Sequence, residues 1–267
     1  MLRAKSFFDF SDFPHADLFA AGPYVWSALA ELKEYMNKYT YPSLETPYLP
    51  PGKPLPETVV YHGGNWLSGN HLVIEYGDTT KGKLIVHDNG EILKGASVLM
   101  AGAVLLGDRI DIGEGVLVES GAMIKSPAII GDCTEIRQGA YLRGYCLSGK
   151  RCVLGHTTEI KHSIFLNDAK AGHFAYLGDS ILGTNVNLGA GTKFANLRFI
   201  PGNVAIMIDG ERIDTGMRKF GAILGDNSQT GCNSVTSPGT IFGKNCMLMP
   251  NLTAASGYHP NRSIIRR

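Results

Sequence analysis

Arg143 and Lys161 lie 18 residues apart, and His173 follows twelve residues later within the stretch KAGHFAYLGD. If positions 18 apart stack in the fold, the two cations share one face. Like charges so placed repel unless an anion sits against them. A phosphate suits both, because Arg offers a planar fork and Lys a point charge. The plainer alternative is a pair of solvated corner residues. His173 is a candidate general base, since imidazole alone titrates unperturbed near neutrality; the alternative is a surface histidine on a loop. Glu159, 14 residues before His173, is a candidate to orient that ring. His156 and His162 add two more imidazoles, but no carboxylate–His spacing accompanies them, and no metal is expected. The Gly-rich NLGAGT at 187–192 lacks the Gly-Lys-Ser/Thr ending of a phosphate loop. Its glycines suit corners and close ligand approach.

What would position these residues is an internal repeat. Stepping by six from Leu106 gives Ile112, Val118, Ile124, Ile130, Ile136, Leu142, Ser148, Leu154, Ile160 and Leu166, aliphatic at all but Ser148. Two residues earlier runs a smaller series: Val104, Ile110, Val116, Ala122, Ala128, Thr134, Ala140, Cys146, Cys152, Thr158 and Ile164. Neither helix nor ordinary strand has this period. It describes short strands joined by corners, three to a triangular turn, with the aliphatic inward and Gly at 107, 113, 131, 149 and 155 supplying unusual corner angles. Residues 18 apart then stack at about the 4.8 Å strand spacing, and stacking supplies the core that one unit lacks. The phase slips between Gly172 and Leu182, at His173, and breaks from about 198 to 219. There VAIMIDGERIDTG reads as a hairpin turning at Asp209-Gly210. Both series resume, at Leu224, Thr230, Thr236, Phe242 and Leu248 and at Ala222, Ser228, Ser234, Thr240 and Cys246.

The N-terminal third differs. Pro23 can open a helix running to about Tyr39, with Val25, Leu29, Leu32 and Met36 on one face. This gives a helical segment and Pro-rich linker over 1–56. Short strand signals over 57–91 suggest a β cap over the open end of the coil, the coil itself covers 92–253, and 254–267 is left as a tail. With 25 Lys+Arg against 24 Asp+Glu in 267 residues, the net charge of +1 argues against a nucleic-acid footprint. No apolar run reaches the ~18 residues that span a bilayer, and the acids in MLRAKSFFDFSDFPHADLF exclude a signal peptide. Five cysteines without a CxxC pair read as reduced, packed thiols in a cytoplasmic protein.

The stretch AYLRGY…HTTEIKHS…KAGHFAYLGDSILGTNVNLGAGTKFAN resembles the acetyltransferase domain of bifunctional UDP-N-acetylglucosamine pyrophosphorylase/glucosamine-1-phosphate acetyltransferases and of archaeal-type sugar-phosphate nucleotidylyltransferases. The likeness spans roughly 92–253, and VAIMIDGERIDTGMRKFGAILGD is closer to the archaeal type. The resemblance implies a left-handed parallel β-helix of hexapeptide repeats, a homotrimer, and acetyl-CoA bound between neighbouring coils. By position it makes His173 the general base. Arg143, Lys161, Tyr176 and Asn187 become sugar-phosphate contacts, with Lys219 near the substrate. Ala190 and Asn196 become acetyl-CoA contacts. Where the family has an Asn-Tyr pair this chain has Asn196-Leu197; a family serine is Cys232, and a family alanine is Pro250. The basic residues Arg262, Arg266 and Arg267 are candidates for the coenzyme phosphates. Only about 90 residues precede the coil and they hold no Gly-rich nucleotide loop, so the expected activity is acetyl transfer to an amino-sugar phosphate without nucleotidyl transfer. The alternatives are another acceptor such as a nucleotide-linked amino sugar, a non-catalytic trimeric partner of a nucleotidyltransferase, and a β-helical carbonic anhydrase, which would need three zinc histidines.

Overall fold

The computed structural model describes residues 2–20, 22–208 and 210–266. It is a left-handed parallel β-helix with three flanks. Flank one carries Ser97–Leu99, Glu135–Ile136, Val153–His156, Lys170–His173, Asn187–Leu188, Gln229–Thr230 and Met247–Leu248 among its strands. Flank two carries Met123–Lys125, Tyr141–Leu142, Glu159–Lys161, Tyr176–Gly178 and Lys193–Phe194, and flank three Ala128–Ile130, Cys146–Ser148, Ser163–Phe165, Ile181–Leu182 and Ala222–Leu224. The chain runs from flank one to two to three in each turn, and each strand pairs in parallel with those one coil away.

Most of the six-step series points inward and is buried, from Ile112 and Val118 through Ile160 and again from Leu224 to Leu248. Two members are corrected. Leu106 is 40% exposed and Leu105 takes the inward place, because Leu105 pairs with Ile124, a step of 19 residues. Phe165 and Ser163, not Leu166 and Ile164, face the core, because the corner after Ile160 is one residue shorter than the corner after Leu142. The period therefore first drops to 17 between Lys161 and Ser163, upstream of the expected slip. His173 sits in regular register with His156 instead of at a break.

The glycines after the inward aliphatics serve another purpose than expected. Gly107 has a positive φ, but Gly131 and Gly155 do not: a Cβ on either would overlap the backbone of the coil above, so they permit close stacking. Left-handed corner angles fall largely to side-chain-bearing residues, among them Asn227, Asn233, Asn245 and Asn251, a conformation Asn tolerates.

Residues 2–20 and 22–41 cover flank three. The helix Ser27–Lys38 buries Leu29, Leu32 and Met36, and Phe7, Phe8 and Phe19 join them against the outward residues Ile129, Leu147, Ile164, Ile181 and Ile223. The helix begins after Trp26, later than Pro23 suggested. The Pro-rich segment closes the first end of the coil, with Leu49 and Leu55 in the core and the Leu55 N–H donating to the Ala103 carbonyl. The hairpin Val59–His62/Asn65–Ser68 pairs antiparallel onto Ser97–Leu99, extending flank one. Strands Val73–Glu75, Ile85–Asp88 and Glu91–Ile92 form a separate sheet. At the far end the coil continues past 253: Gly257–His259 and Ile264–Ile265 add parallel strands to flanks three and one. The expected hairpin is Ala205–Ile208 paired with Glu211–Asp214; its Asp209 lies outside the described residues, as does Arg267 at the C-terminus. No helix of the described residues is long and apolar enough to cross a membrane.

Candidate active site

Register sorts the candidate residues into two edges of flank two and one position on flank one. At the first corner, where flank one turns into flank two, every coil has the same length. Pairings of Val153 with Lys170, Lys170 with Asn187, Asn187 with Gln229 and Gln229 with Met247 carry that register upward. His156, His173, Ala190, Cys232 and Pro250 therefore stack in one column. The corner bonds follow the same column: Phe174 N–H donates to His156 O, Gly191 to His173 O, Asn233 to Ala190 O and Asn251 to Cys232 O. At about 4.8 Å per coil, the run from His173 to Pro250 is roughly 14 Å tall. His173, Cys232 and Pro250 are exposed along it. Arg266 is exposed one coil higher, just after Ile264–Ile265.

Asn187 stands exposed on flank one, at the foot of the run that turns the corner at Ala190. Tyr176 stands on flank two, three residues after His173, in register with Glu159 below and Lys193 above.

The second corner, where flank two turns into flank three, gathers the rest. Arg143 and Lys161 occupy equivalent places after the paired Leu142 and Ile160, so the two cations do stack. Met123–Lys125 lies one coil below in the same register, which adds Lys125 to the column. Glu159 pairs with one of the two: its Oε1 accepts from Arg143 Nη1 at 2.6 Å, and this bond raises the guanidinium pKa further. Glu159 is thus committed to Arg143, and the side chain in register with His173 is His156, whose Nδ1 donates to the Gln138 carbonyl at 3.0 Å. Asn196 lies above, and Leu197 bridges Lys219, bringing that exposed lysine back after the hairpin excursion.

Five residues separate His173 from Gly178, which is in register with Lys161. That is at most about 17 Å of extended chain. His173 and the cation column thus bound opposite edges of one flank, with Tyr176 between them. The second corner also holds two buried residues, His162 and Asp179, whose side chains meet at 2.8 Å; the sequence offered His162 only as one of three neighbouring imidazoles and did not point to Asp179. Their signal was the five-residue steps from Ile160 to Phe165 and from Leu177 to Leu182, where neighbouring steps are six. Burial would raise the Asp179 pKa, but hydrogen bonds from His162 and Asn196 and the nearby Lys161 outweigh it and lower it. The Tyr176 phenol is raised by burial and by Glu159 and Asp179. Burial also pushes the thiols of Cys146 and Cys152 up to about 12 and raises those of the half-buried Cys133 and of Cys246; among the described residues Cys232 is the exposed cysteine.

No protein-family model matches the chain. Among curated proteins, a bifunctional sugar-1-phosphate nucleotidylyltransferase/acetyltransferase of Sulfurisphaera tokodaii is 36% identical over 151 residues, 50% of this chain and 38% of that protein. The bifunctional protein GlmU of Methanococcus aeolicus is 37% identical over 193 residues, 70% of this chain and 46% of the relative. That of a Synechococcus strain is 32% identical over 174 residues, 65% of this chain and 32% of the relative. The chain thus spans less than half the length of these curated relatives. The β-helix described here is, over part of the chain, similar to the C-terminal acetyltransferase domain of GlmU-type bifunctional sugar-1-phosphate nucleotidyltransferase/acetyltransferases.

Proposed function

We propose that the chain transfers an acetyl group from acetyl-CoA to the amine of an amino-sugar phosphate, as a homotrimer. The observation that carries this reading is the first-corner column, in which His173 is the base of a straight run through Ala190, Cys232 and Pro250. A long, thin acyl donor laid along that run would bring its thioester down to the imidazole. The side chains along it are small, as such a ligand requires. A neighbouring copy would enclose the open flank, and the covering of flank three by residues 2–20 and 22–41 leaves flanks one and two for that contact.

A thioester is already activated, so the protein needs a base, orientation and oxyanion donors in place of a covalent nucleophile. Arg143 and Lys161 hold the phosphate, and Tyr176 and Asn187 flank the sugar. Positioning of this kind supplies about 7–11 kcal/mol of a barrier when the geometry is good. The deprotonated amine attacks the thioester carbon, a ring nitrogen of His173 takes its remaining excess proton, and the C–S bond breaks to release the thiolate. Such proton transfer is worth ~10²–10⁴-fold. Backbone N–H groups of the Gly189–Gly191 corner and the Asn196 amide are the donors for the oxyanion of the tetrahedral adduct.

One observation favours a second acceptor class. Lys125 extends the cation column by a coil, which suits the longer anion of a nucleotide-linked amino sugar. Thiol release from acetyl-CoA, measured with glucosamine-1-phosphate, galactosamine-1-phosphate and a uridine-diphosphate-linked amino sugar, tests both. Release dependent on a sugar phosphate supports the first reading, and release only with the nucleotide sugar supports the second. No release with any acceptor removes acetyl transfer.

A further inference from the structure

The second corner holds a connected run of polar side chains that the repeat does not require. His162 and Asp179 are both buried. The His162 Nδ1–H donates to Asp179 Oδ1 at 2.8 Å, and the Asn196 amide donates to Asp179 Oδ2 at 2.6 Å. The Tyr176 hydroxyl in turn points to Asn196 Oδ1 at 3.5 Å. Gly178 makes the closure possible: a Cβ there would overlap the Asn196 amide and come within 2.8 Å of the Tyr176 hydroxyl.

Two features mark the arrangement as costly. A buried carboxylate must be fully bonded to be tolerated, and His162 Nε2 is buried with no partner among the described residues. Both His162 and Asp179 also hold positive φ angles, 47° and 52°, which side-chain-bearing residues adopt at a cost. Elsewhere a corner of the same length is made with small exposed residues, Ala255 and Ser256 between Ala254 and Gly257, and the coil does not need an acid–imidazole pair to close. Departures of this kind concentrate where a protein uses them.

We propose that Asp179, clamped by His162, is a positioning residue for the transfer reaction: it fixes the Asn196 amide and, through Asn196, the Tyr176 hydroxyl. A residue assigned to the acyl donor and one assigned to the sugar phosphate are thereby held as a single unit. Neither His162 nor Asp179 touches a reactant. The proposal rests on the acetyl-transfer reading above and extends it to residues outside the contacts carried over by resemblance.

A double-mutant cycle tests it. In the full chain, Asp179→Asn lowers kcat/KM about ten- to a hundredfold, the size of a lost hydrogen bond to a charge. In an Asn196→Ala background the same change costs less than about twofold, because the group being positioned is already gone. A merely structural role would give equal factors in both backgrounds, and that result would overturn the proposal. His162→Asn, whose amide keeps a donor at the place of Nδ1 toward Asp179, retains most of the activity, whereas His162→Leu behaves like Asp179→Asn. If Asp179→Asn does not fold, the His162 pair on the same two backgrounds decides by the same comparison. An active wild-type protein with additive variants removes only the positioning role. A wild-type protein without thiol release removes both the reaction and the positioning role.

Discussion

The two edges of flank two are built on opposite plans. The first corner repeats without change from coil to coil, so residues far apart in sequence, His173, Ala190, Cys232 and Pro250, form a straight column. The second corner varies in length along the chain. It is shorter by one residue after Ile160 than after Leu142, and it opens between Phe194 and Ala222 into the hairpin excursion. A regular corner suits a long ligand lying along the helix axis. An irregular one places side chains of different reach, Arg143, Lys161, Asn196 and Lys219, along one edge. The repeat supplies the stability at both edges, and the proposed reaction uses the regular corner for the acyl donor and the irregular one for the phosphate.

The contrast can be broken first at its regular edge. His173→Ala is expected to lower kcat by about 10²–10⁴-fold while leaving the oligomer and the thermal midpoint unchanged, since the ring is exposed and its register is held by backbone bonds. Steady-state rates beside a melting curve check this. At the irregular edge, Arg143→Ala should act on binding instead, raising KM for the phosphorylated sugar ten- to a hundredfold, as for a lost charge-assisted bond, and KM for acetyl-CoA far less. Equal effects on both substrates would erase the division between the corners.

Cys232 offers a chemical probe of the column. It is exposed, while burial holds Cys146 and Cys152 up near 12 and keeps them inert. Alkylation by a maleimide should block turnover, acetyl-CoA should slow the block more than the sugar phosphate does, and Cys232→Ala should resist it. The smallest expected effect lies in the buried pair. Asp179 has its pKa lowered below the ordinary 3.8, so it contributes stability that is present above that value and is lost as pH falls through the lower folded-state pKa. The difference in thermal midpoint between the wild type and Asp179→Asn should therefore be constant at neutral pH and shrink below about pH 4.

The contrast also explains how far the sequence could be read. Val118, Ile124, Ile136 and Leu142 announced the inward face because the first and third corners never vary. Leu106 and Leu166 misled because the second corner separates each from its neighbour in the series, Leu106 lying just before that corner and Leu166 after it, and a gained or lost residue there shifts which neighbour turns inward. The assignment of His173 rests on family likeness; the six-step does slip within the expected stretch, from Leu177 to Leu182, but His173 itself lies between that slip and an equal one from Ile160 to Phe165, in regular register. The pairing of Arg143 with Lys161 was legible from the 18-residue period. The partner of Glu159 was not, because a carboxylate can reach along the flank to Arg143 or toward His173, and side-chain geometry alone decides. His162 and Asp179 meet across a coil of 17 residues, which a fixed period of 18 could not align. The docking of residues 2–20 and 22–41 on flank three had a signal that went unused: strands such as Ala128–Ile130 and Ala222–Leu224 are apolar at all three positions, and so are buried on both faces.

The most direct measurement is a crystal structure of the protein soaked with coenzyme A and glucosamine-1-phosphate together. The thiol arm is expected along Ala190, Cys232 and Pro250 with its sulfur at His173, and the phosphate against Arg143 and Lys161. Coenzyme A bound away from that column, or the phosphate on another flank, would contradict the proposed reaction.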